Sequence, residues 1–173
     1  MEKMNCIVLD DESMGRKLVE ENVRQIPFLN LVGSCKNAFE AMEVLAKEPV
    51  DLIKIDVEGS ELFVIQGAAN TIDKYRPSVQ VEIVPKQCQQ YGYEPQALYD
   101  FFSDLDYVCV CAVRNPANKD QRDLFWGKNM GMEHRQIKKY MDRLFVPREV
   151  HERTDYGSMK QVSIENEELF DFG

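Results

Sequence analysis

Nothing in the 173-residue chain is apolar for long enough to cross a bilayer. The run Val108 to Val113 has six residues, against the roughly 18 that a membrane helix needs. No cationic stretch followed by an apolar one opens the chain, so no secretory leader is read. The expectation is a cytoplasmic protein with no membrane partner. Positive charge is short as well: 21 Lys and Arg face 30 Asp and Glu, for a net charge of −9, which argues against generic attraction to nucleic acid or anionic lipid. Residues 117–148 carry eight Lys and Arg against four Asp and Glu, but without a readout motif no nucleic-acid partner is expected. Histidine is scarce: His134 and His151 lie too far apart for a local metal motif and read as surface residues. The five cysteines are odd in number and form no Cys-x-x-Cys pair, which excludes a disulfide framework or a zinc knuckle. Cys109 and Cys111 share one face of a strand; they read as small buried hydrophobes, or alternatively as a metal or redox pair.

What remains is a regular alternation. Apolar runs fall near residues 5–10, 29–34, 50–57, 78–84 and 107–113, and segments with apolar residues at helical spacing separate them. Asn37, with Glu40 three residues on, predicts a capped helix start, and Ser60 predicts another before Leu62, Ile65, Ala69 and Ile72. Val50 to Val57 reads as a strand buried on both faces of a parallel sheet, with Lys54 the polar exception. Ile137, Tyr140, Met141, Leu144 and Phe145 predict a last helix. Strands alternating with helices imply an α/β fold, a doubly wound, five-stranded parallel sheet. Residues 114–132, with Trp126 among them, read as a long loop, and residues 146–173 as an acidic tail.

Two family resemblances meet in this text. Cys6-Ile7-Val8-Leu9-Asp10-Asp11-Glu12, the stretch from Ile26 to Ala41 and Pro49 to Ile53 resemble the receiver domain of bacterial response regulators, most closely the group carrying a LytTR-type DNA-binding domain. That resemblance, over residues 1–53, implies a flavodoxin-like sheet of order 2-1-3-4-5. It also implies an acidic pair after the first strand, here Asp10 and Asp11, and a phosphoacceptor ending the third, here Asp56. By the same resemblance Mg²⁺ would be held by Asp11 and Asp56 directly, by Asp10 through water and by the carbonyl of Glu58. The phosphoryl source would be a histidine kinase or a small phosphodonor.

From about residue 50 the chain resembles a different family. Leu52 to Leu62, with its Asp56-Val57-Glu58-Gly59 core, and Arg76 to Ile83 look like the later half of an FkbM-family methyltransferase dependent on S-adenosylmethionine. Asp51-Leu52-Ile53 suits both families, so the chain reads as a chimera. Its expected organisation is a single domain over residues 1–145, receiver-like to residue 53, methyltransferase-like over 54–113 and unassigned over 114–145.

The residues favour one chemistry over the other. Binding S-adenosylmethionine in this manner needs a glycine-rich turn after the first strand, and Asp10 to Gly15 offers carboxylates instead. Accepting a phosphoryl group needs a nucleophilic carboxylate, a divalent cation to neutralise the crowded anions and groups for the transferred oxygens. Three carboxylates converging at neighbouring strand ends predict either a bound divalent cation or a proton shared among them. Receivers place Ser or Thr at the end of strand four and Lys at the end of strand five. Here those places hold Val84 and Arg114, so Arg114 is the candidate stand-in for the lysine and switching is in doubt. The leading reading is thus a non-enzymatic phosphoacceptor module. The alternatives are a methyltransferase, whole or inactive, and a scaffold whose acidic rim is merely solvated.

Overall fold

Cys6 to Leu9 is apolar without interruption, and in the computed structural model it forms the centre of β1 (Met4–Asp10), buried from Cys6 onward. The structure describes residues 3–114, 122–127, 142–155 and 160–163. It divides into two compact units, Met1–Glu94 and Pro95–Gly173.

In the first unit β1 is followed by α1 (Ser13–Gln25), β2 (Leu29–Cys35), α2 (Ala38–Leu45), β3 (Leu52–Asp56), α3 (Glu61–Gly67), α4 (Ala69–Tyr75), β4 (Ser78–Glu82) and α5 (Pro85–Gln90). The strands lie parallel in the order β2-β1-β3-β4, the expected order for the first four strands of a doubly wound sheet. Parallel neighbours cannot be joined by tight turns, so helices carry every crossover. Between β1 and β2 the register shifts once: Cys6 faces Leu31 and Ile7 faces Gly33, which leaves Val32 as an extra residue on β2.

Burial on β3 and β4 alternates. Ile53, Ile55, Val79 and Val81 are buried, whereas Lys54, Asp56, Gln80 and Glu82 are half-buried. The expectation that β3 is covered on both faces therefore holds for one face only, because every second side chain from Leu52 to Asp56 stays within reach of water. Asn37 caps α2 as expected, accepting from the Glu40 N–H at 3.0 Å. Ser60 does not cap α3, since its hydroxyl donates to the Val57 carbonyl at 3.0 Å. The single helix expected after it is broken at Ala68 into α3 and α4, just after a glycine that favours helix poorly.

The second unit comprises α6 (Gln96–Asp104), β5 (Tyr107–Arg114), β6 (Arg122–Gly127), β7 (Asp142–Pro147), α7 (Arg148–His151) and β8 (Lys160–Ser163). Here the structure departs from the sequence reading. β5 is not a fifth parallel strand: it takes antiparallel partners on both edges, β6 and β7, and β8 continues parallel to β6. Residues 122–127 form a strand within the segment read as a loop. Asp142 to Phe145, read as the end of a helix, belong to β7. There Arg143 and Phe145 are buried while Asp142 is exposed and Leu144 half-buried, a period of two that overrides the helical spacing counted from Ile137. Ile137, Tyr140 and Met141 lie outside the described residues. The segment read as an acidic tail supplies the end of β7, then α7 and β8. His151, read as a surface residue, closes α7 and is 7% exposed. Phe102 on α6 stacks on Phe145 with centroids 4.1 Å apart, Tyr99 meets Phe145 edge-on at 5.6 Å, and fully buried Arg143 donates from Nε to the Tyr99 hydroxyl at 2.9 Å.

Among the described residues no helix is long and apolar enough to cross a membrane. The core assignment is testable: Ile55→Ala, at a 2% exposed position, is expected to lower stability by about 2–5 kcal/mol. Phe39→Ser, at an 80% exposed one, should stay within about 0.5 kcal/mol. Urea denaturation of both variants checks the contrast.

Candidate functional site

The carboxyl ends of β1 and β3 carry the acidic residues, and the parallel register sets Asp10 directly opposite Asp56. Asp10 is 5% exposed. Its Oδ1 accepts from the Glu12 N–H at 2.8 Å, the turn that leads into α1. Arg16, in the first turn of α1, donates from Nη1 to the Asp10 carbonyl at 2.6 Å. Burial raises the Asp10 pKa above the ordinary carboxylate value; the Glu12 N–H opposes this, the Asp56 charge adds to it, and Lys54 offsets part of it.

Lys54 lies two residues before Asp56, so both side chains project from the same face of β3. Its ammonium sits 3.0 Å from Asp56 Oδ2, with the side chains 18% and 29% exposed. Asp56 thus already has a cationic partner within its own strand. Sequence reading marked Lys54 as an exception to an apolar strand but did not pair it; the spacing of two was the available signal.

Beyond Asp56 the backbone reverses through Glu58, at φ +48°, and Gly59, at φ +105°. Both lie in the left-handed region that favours glycine. A Cβ on Gly59 would stand 2.8 Å from the Gln87 carbonyl oxygen and 2.8 Å from the Tyr91 ring. Glu61, 2% exposed, holds this turn: its Oε1 accepts from the N–H groups of Val57 at 3.2 Å and Gly59 at 3.0 Å. The Tyr93 hydroxyl lies 2.9 Å from the Gly59 carbonyl and 3.2 Å from Glu61 Oε2. Burial, then its hydrogen bond with Cys88, pushes the Tyr93 phenol up, which keeps it protonated and able to donate a hydrogen bond. From the sequence Glu61 reads, with Glu58, as added negative charge beside Asp56 that favours cations and opposes a phosphodonor; the structure makes it the acceptor that holds the turn, and nothing in the sequence singled out Tyr93.

Of the four expected metal ligands, the structure sets Asp10 opposite Asp56, and the Asp11 charge acts on Asp10 as well; Asp11 and the Glu58 side chain are exposed. Among the described residues no three His, Cys, Asp or Glu side chains are gathered as a metal site. With Lys54 on Asp56, the donor set does not fit a divalent ion. Nor does the turn after β1 fit a methyl-donor cofactor. A Cβ on Gly15 would stand 2.9 Å from Asp10 Oδ2, so the space left by this glycine is taken by the protein's own carboxylate. Arg114 ends β5 in the second unit, and its side chain, like that of Trp126, lies outside the described residues; so does His134. All five cysteines are free and buried. Burial raises the thiols of Cys109 and Cys111 and pushes that of Cys35 up to about 11, which makes them packing groups rather than thiolates.

Comparison with known proteins finds both resemblances. The family model described as methyltransferase FkbM domain matches residues 12–109. An uncharacterised response regulatory protein of Shewanella oneidensis is 29% identical over 55 residues, 32% of this chain and 23% of its own length. The chain thus spans about a quarter of that relative. The isolated REC domain of RcsB from Salmonella enterica serovar Typhimurium, in the presence of phosphomimetic BeF3−, superposes with a TM-score of 0.41 at 15% identity, covering 58% of this chain and 72% of that one. RcsB from the same organism, bound to promoter rprA, gives 0.39 at 14% identity and covers 60% of each chain.

Because burial raises the pKa of Asp10, the native state holds an extra proton between the unfolded and folded values. Stability is undiminished below the ordinary carboxylate value, about 3.9, and falls as pH rises through the raised one. Asp10→Asn is therefore expected to raise the melting temperature at neutral pH by a few degrees, on the order of 1 kcal/mol. The gain should vanish toward about pH 3.5, below the unfolded value; melts across that range check it.

Proposed function

The chain belongs to the methyltransferase FkbM domain family, and from that premise we propose that it works as a receiver-like signalling module whose working group is Asp56, without methyl transfer. The observation that carries this reading is the pairing of Asp56 with Asp10 across β1 and β3, with the Lys54 ammonium 3.0 Å from Asp56. In an open parallel sheet, the carboxyl ends of neighbouring strands are where ligands bind.

The chemistry asked of Asp56 is modest. Its carboxylate oxygen attacks the phosphorus of a small phosphodonor, the bond from phosphorus to the leaving oxygen breaks, and an acyl phosphate forms as acetate or a comparable anion departs. No proton is needed at Asp56. Lys54 supplies positive charge beside the oxygen that acquires the phosphoryl group. Methyl transfer is disfavoured by the use that Asp10 makes of Gly15. The physiological phosphodonor in this reading is a histidine kinase or a small acyl phosphate.

Incubation with acetyl phosphate followed by intact-protein mass measurement is expected to show one added phosphoryl group on the parent and none on Asp56→Asn. An unmodified parent would overturn the reading. Calorimetry with S-adenosylmethionine is expected to register no binding in the micromolar range; micromolar binding would restore methyl transfer as the activity.

A further inference from the structure

Receiver-like chemistry ordinarily calls for a divalent cation among the carboxylates, and this chain's residues do not provide for one. Lys54 and Asp56 are half-shielded from water, at 18% and 29% side-chain exposure, and their charged atoms are 3.0 Å apart. Opposite them Asp10, 5% exposed, engages only Oδ1; among the described residues Oδ2 accepts no hydrogen bond. A second cation, Arg16, is anchored on the Asp10 carbonyl. The Asp56 carboxylate is therefore matched by the Lys54 ammonium, and a divalent ion entering between the two carboxylates would meet like charge instead of an anionic cage.

We propose that Lys54 is a tethered counter-ion that occupies the role of a divalent cation between β1 and β3, so that the acidic pair is metal-independent in this chain and becomes a cation site only when the ammonium is removed. The inference rests on Asp56 being the working group, and it adds how that group is kept charge-balanced. A side chain carried on the same strand is present at an effective concentration set by its tether. A magnesium ion must instead shed tightly held water and find near-octahedral oxygen ligands. Asp10 supplies what a latent site would need: a buried carboxylate with one oxygen uncommitted, facing Asp56 across one strand spacing.

The test is a Mn²⁺ titration of the full chain, with free Mn²⁺ read by electron paramagnetic resonance, since carboxylate-rich sites take Mn²⁺ as they take Mg²⁺. The parent is expected to bind weakly, in the millimolar range typical of unspecialised oxygen sites. Lys54→Met, which keeps the apolar stem and removes the charge, is expected to bind at least tenfold tighter. Adding Asp56→Asn to that variant should return binding to the parent's level. Lys54→Gln, expected to show the same gain, serves if the Met variant's circular dichroism indicates that it has not folded. Parent binding as tight as that of Lys54→Met, or no gain in a folded Lys54 variant, would overturn the proposal. Because no phosphodonor is involved, failure here leaves the acyl-phosphate result intact, and failure of phosphorylation leaves the Mn²⁺ result to stand by itself.

Discussion

The carboxylate of Glu61 does the work of a backbone partner. A chain leaving a parallel strand must turn within a few residues toward the next helix, and the N–H groups of that turn have no ladder to join. Glu61 accepts two of them, from Val57 and Gly59, and Tyr93 closes the other side through the Gly59 carbonyl. This permits Glu58 and Gly59 to take left-handed conformations, and it fixes where β3 stops. Asp56 is the last residue of that strand, so its position beside Asp10 follows from the turn as much as from the sheet.

The same strand is where the two family likenesses join. A receiver-like first strand ending in Asp10-Asp11 is followed by a β3–α3 segment of methyltransferase text, and both halves accept one parallel register. Only the apolar residues Ile53 and Ile55 must match the neighbours in the sheet; the residues that face outward, Lys54 and Asp56, are free to follow the chemistry of either parent family. A chain can therefore keep the acidic pair of one likeness and acquire, at Lys54, an ammonium beside it.

How much of this was legible in the sequence follows from the range of the interactions. The first unit depends on local patterns, apolar runs, caps and helical crossovers, and its strands and their order could be read from Cys6 to Ile83. The second unit depends on pairing between distant segments. Nothing near Asp142 announces that Arg143 is to be buried against Tyr99, and the apolar spacing from Ile137 to Phe145 suits a helix until β5 offers an antiparallel edge. At the site, Asp10 and Asp56 were legible because they end strands. Glu61 was not, because a carboxylate just inside a helix also reads as ordinary first-turn charge.

The extra residue on β2 bears on how the molecule behaves in a crowd. Among the described residues β2 pairs only with β1, so its other edge presents backbone donors and acceptors to any passing strand. Where Val32 is inserted, the spacing of those groups breaks and the strand's twist increases. A second chain that tried to lengthen the sheet there would find short ladders on either side of the irregularity instead of one seven-residue template. A single inserted valine thus breaks the template on the edge of a strand that carries no charged residue.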